Sequence, residues 1–178
     1  MGRIVLITGG ARSGKSDHAL RLAGAYGQRA FIATAQPVDK EMRLRIAAHR
    51  RERDSSLFTV EEPIRVASAL LSLPKEIEVT VIDCLTVWLG NLMHRFGKEI
   101  ESCPEMDAFL DAIKKSSCDL IVVTNEVGMG IVPPNRVARK FRDLAGRLNR
   151  QVATLASQVV FMACGLPIAL KEEPHGPA

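Results

Sequence analysis

The stretch "GGARSGKS", residues 9–16, limits what this chain can fold into more than any other. It follows the apolar run "RIVLIT" at 3–8 and opens a stretch with helical patterning at 15–25. Strand, glycine loop and helix in that order fit G-x-x-x-x-G-K-[ST], with Gly9, Gly14, Lys15 and Ser16 at the fixed positions. Glycine lets backbone N–H groups turn inward around phosphate oxygens, and the helix N-terminus behind them adds partial positive charge. Lys15 has the reach for β- and γ-phosphates, and the Ser16 hydroxyl suits Mg²⁺. A chance glycine turn would not need this whole context. Residues 9–16, including Gly10, Ala11, Arg12 and Ser13, are therefore expected to bind a nucleoside triphosphate.

Four more runs continue the pattern: "AFIAT" (30–34), "EVTVID" (78–83), "DLIVVT" (119–124) and "QVVFMA" (158–163). They are continuously apolar, as strands covered on both faces are. Helical stretches near 40–53, 63–73, 85–96, 104–116 and 136–156 separate them. This alternation predicts one α/β domain: a mostly parallel sheet with helices on both faces, over 1–170. The end, "KEEPHGPA" at 171–178, reads as a flexible tail. In the last long helix Val137, Phe141, Leu144, Leu148, Val152 and Leu155 form one apolar stripe, with the arginines mostly off it.

Composition narrows the classes. The chain has 178 residues, a net charge of +4 and 4% aromatics, which suits an anionic small ligand better than a nucleic acid. Its four cysteines, Cys84, Cys103, Cys118 and Cys164, have no zinc-like spacing and read as reduced thiols, with Cys164 in the core. A strand and a glycine loop open the chain, so no secretory leader is expected, and the run 159–170 is too short and broken to span a bilayer. The expected location is the cytoplasm.

A Mg²⁺ partner for Ser16 is expected at another strand's end, and Asp83 closes "VTVID". An aspartate there can equally cap the next helix. Glu126, in "TNEVGMGIVPPNR" after the fourth strand, can orient water, a hydroxyl or metal. Gly128, Gly130, Pro133 and Pro134 make that loop unlike an ordinary connection, though turn chemistry alone also accounts for them.

"EMRLRIAAHRRERD", residues 41–54, packs five arginines and a histidine into a short span. On a helix Met42, Ile46 and His49 share a face, and Arg45 and Arg53 lie four positions from His49. Nearby cations favour the neutral, nucleophilic imidazole, and arginines hold phosphates bidentately. A histidine so placed could attack an α-phosphate. Composition alone favours a solvated face with a packing histidine.

The assembled motifs resemble the bifunctional adenosylcobinamide kinase/adenosylcobinamide-phosphate guanylyltransferase family of cobalamin biosynthesis. The matching pieces are "TGGARSGKS" (8–16), "IATAQ" (32–36), "EMRLRIAAHR" (41–50), "TVEEP" (59–63) and "VTNEVGMGIVPPNRVARKFRDLAGRLNR" (123–150). The resemblance implies a RecA-like sheet, a trimer, and ATP, GTP and Mg²⁺ as cofactors. It implies phosphorylation of adenosylcobinamide, then GMP transfer from GTP through a GMP-histidine. His49 would be the nucleophile, Lys15 and Glu126 further catalytic groups, and Ser16 and Asp83 the metal ligands. Thr34, Ala35, Gln36 and Glu61 would lie around the nucleotide, and Arg50, Arg51 and Arg53 would cradle phosphate. The chain departs from the family after the histidine: where R-P-x-x-W is usual, it reads Arg53-Asp54-Ser55-Ser56-Leu57. Against this stand a single-activity P-loop small-molecule kinase, with His49 merely structural, and a nucleotide-dependent nucleic-acid binder. The first rival predicts no covalent nucleotide. The second predicts salt-sensitive binding.

Overall fold

A computed structural model describes residues 2–37, 40, 43, 44, 47, 56–98 and 100–172. The strands are β1 (Ile4–Gly9), β2 (Arg29–Ala33), β3 (Phe58–Glu61), β4 (Val79–Asp83), β5 (Asp119–Val123), β6 (Gln158–Ala163) and β7 (Leu166–Lys171). The helices are α1 (Lys15–Ala23), α2 (Val66–Leu71), α3 (Leu85–Phe96), α4 (Pro104–Lys115) and α5 (Arg136–Leu155). The strands form one sheet in the order β3-β2-β4-β5-β1-β6-β7, parallel throughout except for β7, which runs antiparallel to β6.

The five apolar runs predicted as strands are the central five. Their continuous hydrophobicity follows from burial on both faces. Ile4 and Leu6 of β1 join a core with Ile32, Ile82, Leu120 and Val122, roofed by Trp88, Phe109 and Leu144 from α3, α4 and α5. Val5 and Ile7 point the other way, to Phe31, Val81, Ile121 and Val123 under Ala19 and Ala23 of α1. Period-two alternation within an unbroken apolar run thus feeds two cores. The Trp88 and Phe109 rings lie 5.0 Å apart at 58°, a tilted pair that ties α3 to α4.

The helix ends follow local chemistry. In α4, Pro104 occupies the first turn with Glu105 and Asp107, while Lys114 and Lys115 close the last, matching the macrodipole. Asn135 caps α5: its Oδ1 accepts from Val137 N at 2.8 Å and Ala138 N at 3.3 Å. The predicted stripe of α5 faces inward, with Leu144, Leu148 and Val152 buried and Val137, Phe141 and Leu155 partly so.

Two strands went unforeseen, and both are edges. β3 has four residues, three of them exposed, so it carries no apolar run. β7 is exposed along its whole length. Its Pro167 is tolerated because an edge strand needs fewer ladder donors. The apolar run 159–170 is therefore a hairpin, turning at Cys164 (φ +53°) and Gly165 (φ +80°). Cys164 is accordingly exposed, not in the core as its apolar neighbours suggested. The strand runs one residue into the stretch expected to be a tail, and Lys171 Nζ donates to Ala156 O at 2.5 Å. Residues 173–178 lie outside the described residues.

Candidate functional site

The glycine loop leaves β1 at the sheet's C-terminal edge, between strands that flank it on both sides. Gly9 has φ +145°, and a Cβ there would sit 2.4 Å from Met162 O of β6. No other residue fits. Gly14, at φ +88°, hands the chain into α1. No side chain caps that helix, so its first N–H groups keep their capacity for an anion. The C-terminal hairpin backs the loop: Gly165 N donates to Ser13 O at 3.2 Å.

Lys15 lies over the loop and donates from Nζ to Gly10 O at 2.5 Å, with Ser13 Oγ at 3.4 Å. Burial pushes its pKa below the ordinary lysine value, and the nearby Asp83 carboxylate opposes that shift. Cys84 faces the same space, but burial and Asp83 push its thiol up to about 12, so it is neutral.

Ser16 Oγ donates to Asp83 Oδ2 at 2.7 Å, joining residues 67 positions apart. Asp83 does not cap the following helix; Cys84 holds that position, without a side-chain cap bond. A hydroxyl and one carboxylate are a sparse set, but Mg²⁺ on a nucleotide takes its remaining ligands from phosphate oxygens and water. Among the described residues no group of three His, Cys, Asp or Glu is poised to hold a metal. The residues present therefore fit a nucleotide-bound Mg²⁺ rather than an all-protein cage.

Thr34 serves this pair indirectly. It is fully buried; its Oγ1 donates to Cys84 O at 2.9 Å and accepts from Cys84 N at 2.8 Å. It pins the backbone that carries Asp83. Asn91 of α3 reaches back to Thr34 O at 2.8 Å, fixing the same turn. Ala35 and Gln36 follow, half-buried at the edge. Glu61 ends β3 beside Ala33, which pairs with Asp83 on its other side. Two strand spacings, about 10 Å, thus separate the backbones at Glu61 and Asp83. Glu126 lies on the opposite flank. Its N–H donates to Gly9 O at 3.0 Å, and its Oε1 accepts from Gly128 N at 2.6 Å.

A polar network missed by sequence reasoning sets the Glu126 loop. Thr124 Oγ1 donates to Asn149 Oδ1 at 2.7 Å and lies 3.2 Å from Thr86 Oγ1. Asn149 Nδ2 donates to Asn125 O at 3.1 Å, and Asn125 N donates to Thr86 Oγ1 at 2.7 Å. The available signal was a lone asparagine beside an apolar stripe. His49, Arg50, Arg51 and Arg53 lie outside the described residues. The structure thus brings together Gly9 to Ser16, Asp83 and Glu126, with Thr34 behind and Glu61 apart.

The model of the family described as cobinamide kinase/cobinamide phosphate guanyltransferase matches residues 5–170. The chain is 37% identical to the bifunctional adenosylcobalamin biosynthesis protein CobU of Escherichia coli, covering 94% of this chain and 99% of that one. It is 41% identical to the bifunctional adenosylcobalamin biosynthesis protein CobP of Pseudomonas aeruginosa, covering 95% and 98%. Among solved structures it is similar to the RadB recombinase, with a TM-score of 0.53 at 17% identity over 90% of this chain and 74% of that one. That last likeness concerns the fold alone, a RecA-like one.

Proposed function

The chain belongs to the cobinamide kinase/cobinamide phosphate guanyltransferase family, and from that premise we propose how its residues serve the two reactions. It is a bifunctional enzyme of cobalamin biosynthesis, acting on a corrinoid. In the first reaction the hydroxyl of adenosylcobinamide takes the γ-phosphoryl group of ATP or GTP, and a nucleoside diphosphate leaves. In the second a nitrogen of His49 attacks the α-phosphorus of GTP, and pyrophosphate leaves. An oxygen of the acceptor's phosphate then attacks that phosphorus, the P–N bond breaks, and adenosyl-GDP-cobinamide is released with His49 restored.

Backbone N–H groups from Gly9 through Gly14 cradle the phosphates, including those of Ala11, Arg12 and Ser13. Lys15 exchanges Gly10 O for a phosphate oxygen. Ser16 and Asp83 hold Mg²⁺, which when bound neutralises charge on the phosphate oxygens. Thr34 holds Asp83 in place, and Ala35, Gln36 and Glu61 border the nucleotide. Glu126, anchored through its N–H to Gly9, orients the acceptor hydroxyl. Arg50, Arg51 and Arg53 hold phosphates beside His49. Residues 1–171 act as one unit, as a cytoplasmic homotrimer, with the residues after β7 as a tail. No helix among the described residues is long and apolar enough to cross a membrane.

The observation that carries the nucleotide half of this reading is the 2.7 Å contact of Ser16 with Asp83 beside the loop lysine. The covalent half is tested with GTP labelled at the α-phosphate. After incubation with Mg²⁺ and denaturation, acid-labile, alkali-stable label should stay on the protein and vanish with His49→Ala. Retention of label by that variant would put the nucleotide on another residue and remove His49 from the role. No label on the unaltered protein that still binds GTP would leave the kinase-only reading.

A further inference from the structure

Beyond Glu126 the chain passes Gly128 and reaches the outward face of α5. There Gly128, Arg142, Asp143, Gly146, Arg147 and Arg150 line an open groove of about 490 Å³, within the range of small-molecule sites. Three guanidinium groups against one carboxylate leave its lining two charges positive. Arg142 spends two N–H groups on Asp143 Oδ1, at 3.3 and 3.2 Å. Arg147 spends one on Glu101 O, at 3.0 Å. Five donors per guanidinium leave several free. Among the described residues no carboxylate pairs with Arg150.

Gly146 sits in the middle of this helix, where glycine is disfavoured relative to alanine. A Cβ at Gly146 would meet nothing within 4 Å, so packing does not demand the glycine. A ligand pressed against the helix backbone would. The groove lies one residue past Val127 from Glu126, whose N–H holds Gly9. It therefore adjoins the phosphate loop without being part of it. Beyond Gly128 the same loop continues through the exposed apolar residues Met129, Ile131 and Val132.

We propose that this groove is the acceptor subsite for the guanylyl-transfer step, holding the phosphate monoester of the acceptor between Arg142, Arg147 and Arg150; the proposal rests on the two-reaction reading above. The nucleotide's own phosphates belong to the glycine loop. The second reaction needs another phosphate held nearby as nucleophile, on a bulky, partly apolar acceptor. Guanidinium forks recognise such a dianion bidentately, and the unphosphorylated acceptor offers them nothing.

The test is calorimetric titration of the intact protein with adenosylcobinamide phosphate, adenosylcobinamide, Mg-GTP and pyrophosphate. It is repeated with Arg150→Gln and with Gly146→Leu, which fills the groove while favouring the helix. Unfolding midpoints check that both variants fold. Each should bind adenosylcobinamide phosphate roughly tenfold to a hundredfold more weakly, the worth of a lost charge-assisted contact. Binding of the other three should change less than about twofold. Equal weakening toward Mg-GTP or pyrophosphate overturns the proposal and gives the groove to the nucleotide. Unchanged binding of adenosylcobinamide phosphate overturns it outright. If the unaltered protein binds neither acceptor, the two-reaction reading fails and the subsite with it.

Discussion

His18, on α1 directly behind the phosphate loop, is 8% exposed, and its Nδ1 lies 2.5 Å from an Arg21 guanidinium nitrogen. Arginine only donates, so Nδ1 accepts and the ring is held neutral on that side. Burial, then the Arg21 charge, lower its pKa from the ordinary 6.5. The sign follows: the unfolded chain takes up a proton near 6.5 while the folded one resists. Stability is full above about pH 6.5 and falls as pH drops through it. The urea midpoint should therefore decline between about pH 7 and 5, and His18→Gln should flatten that part of the curve. An equal decline in the variant would assign the effect to other groups. At this scale the glycine loop and Asp83 were legible, because each chemistry admits few residue types. Thr34 was legible as a position but not as a role: only the fold shows its hydroxyl spent on Cys84.

α5 does more than cover a core. Asn149 touches the residue after β5 through Thr124, so the helix that covers the core also holds the loop at the sheet edge. Its early turns meet the loop they help to hold: Arg139 donates to Pro133 O and Pro134 O at 2.9 and 2.7 Å. Replacing Asn149 by alanine leaves the buried Thr124 hydroxyl short of a partner and frees Asn125 O. Asn149→Ala should cost about 1–3 kcal/mol and lower kcat more than it raises KM for GTP, since Glu126 loses its setting. Denaturant titration with steady-state kinetics checks both; an unchanged kcat would reduce the network to a structural tie. Periodicity made the apolar face of α5 legible. The edge strands were not, because β3 and β7 bury too little to write a hydrophobic signature.

At the scale of the whole molecule, no strand among the described residues pairs with the outer edge of β7, and Leu166, Ile168 and Leu170 are 67%, 50% and 62% exposed on it. The proposed trimer should give a sedimentation mass near three times 19.5 kDa. A species at the single-chain mass across micromolar concentrations would rule the trimer out. The parallel direction of the central strands was legible from alternation; their order was not written in it.

Neighbourhood in the sheet and order along the chain part company at the phosphate loop. Gly9 pairs with Met162, and Ser13 O receives Gly165 N, so nearly the entire chain lies between the loop and its backing wall. On the ribosome the whole glycine motif emerges first, yet its wall on the β6 side is missing until residue 165 is made. Synthesis that stops short yields a chain with the whole glycine motif and only part of its seat. The full seat for a nucleotide's phosphates thus waits on β6 and the turn after it, long after the loop itself is translated.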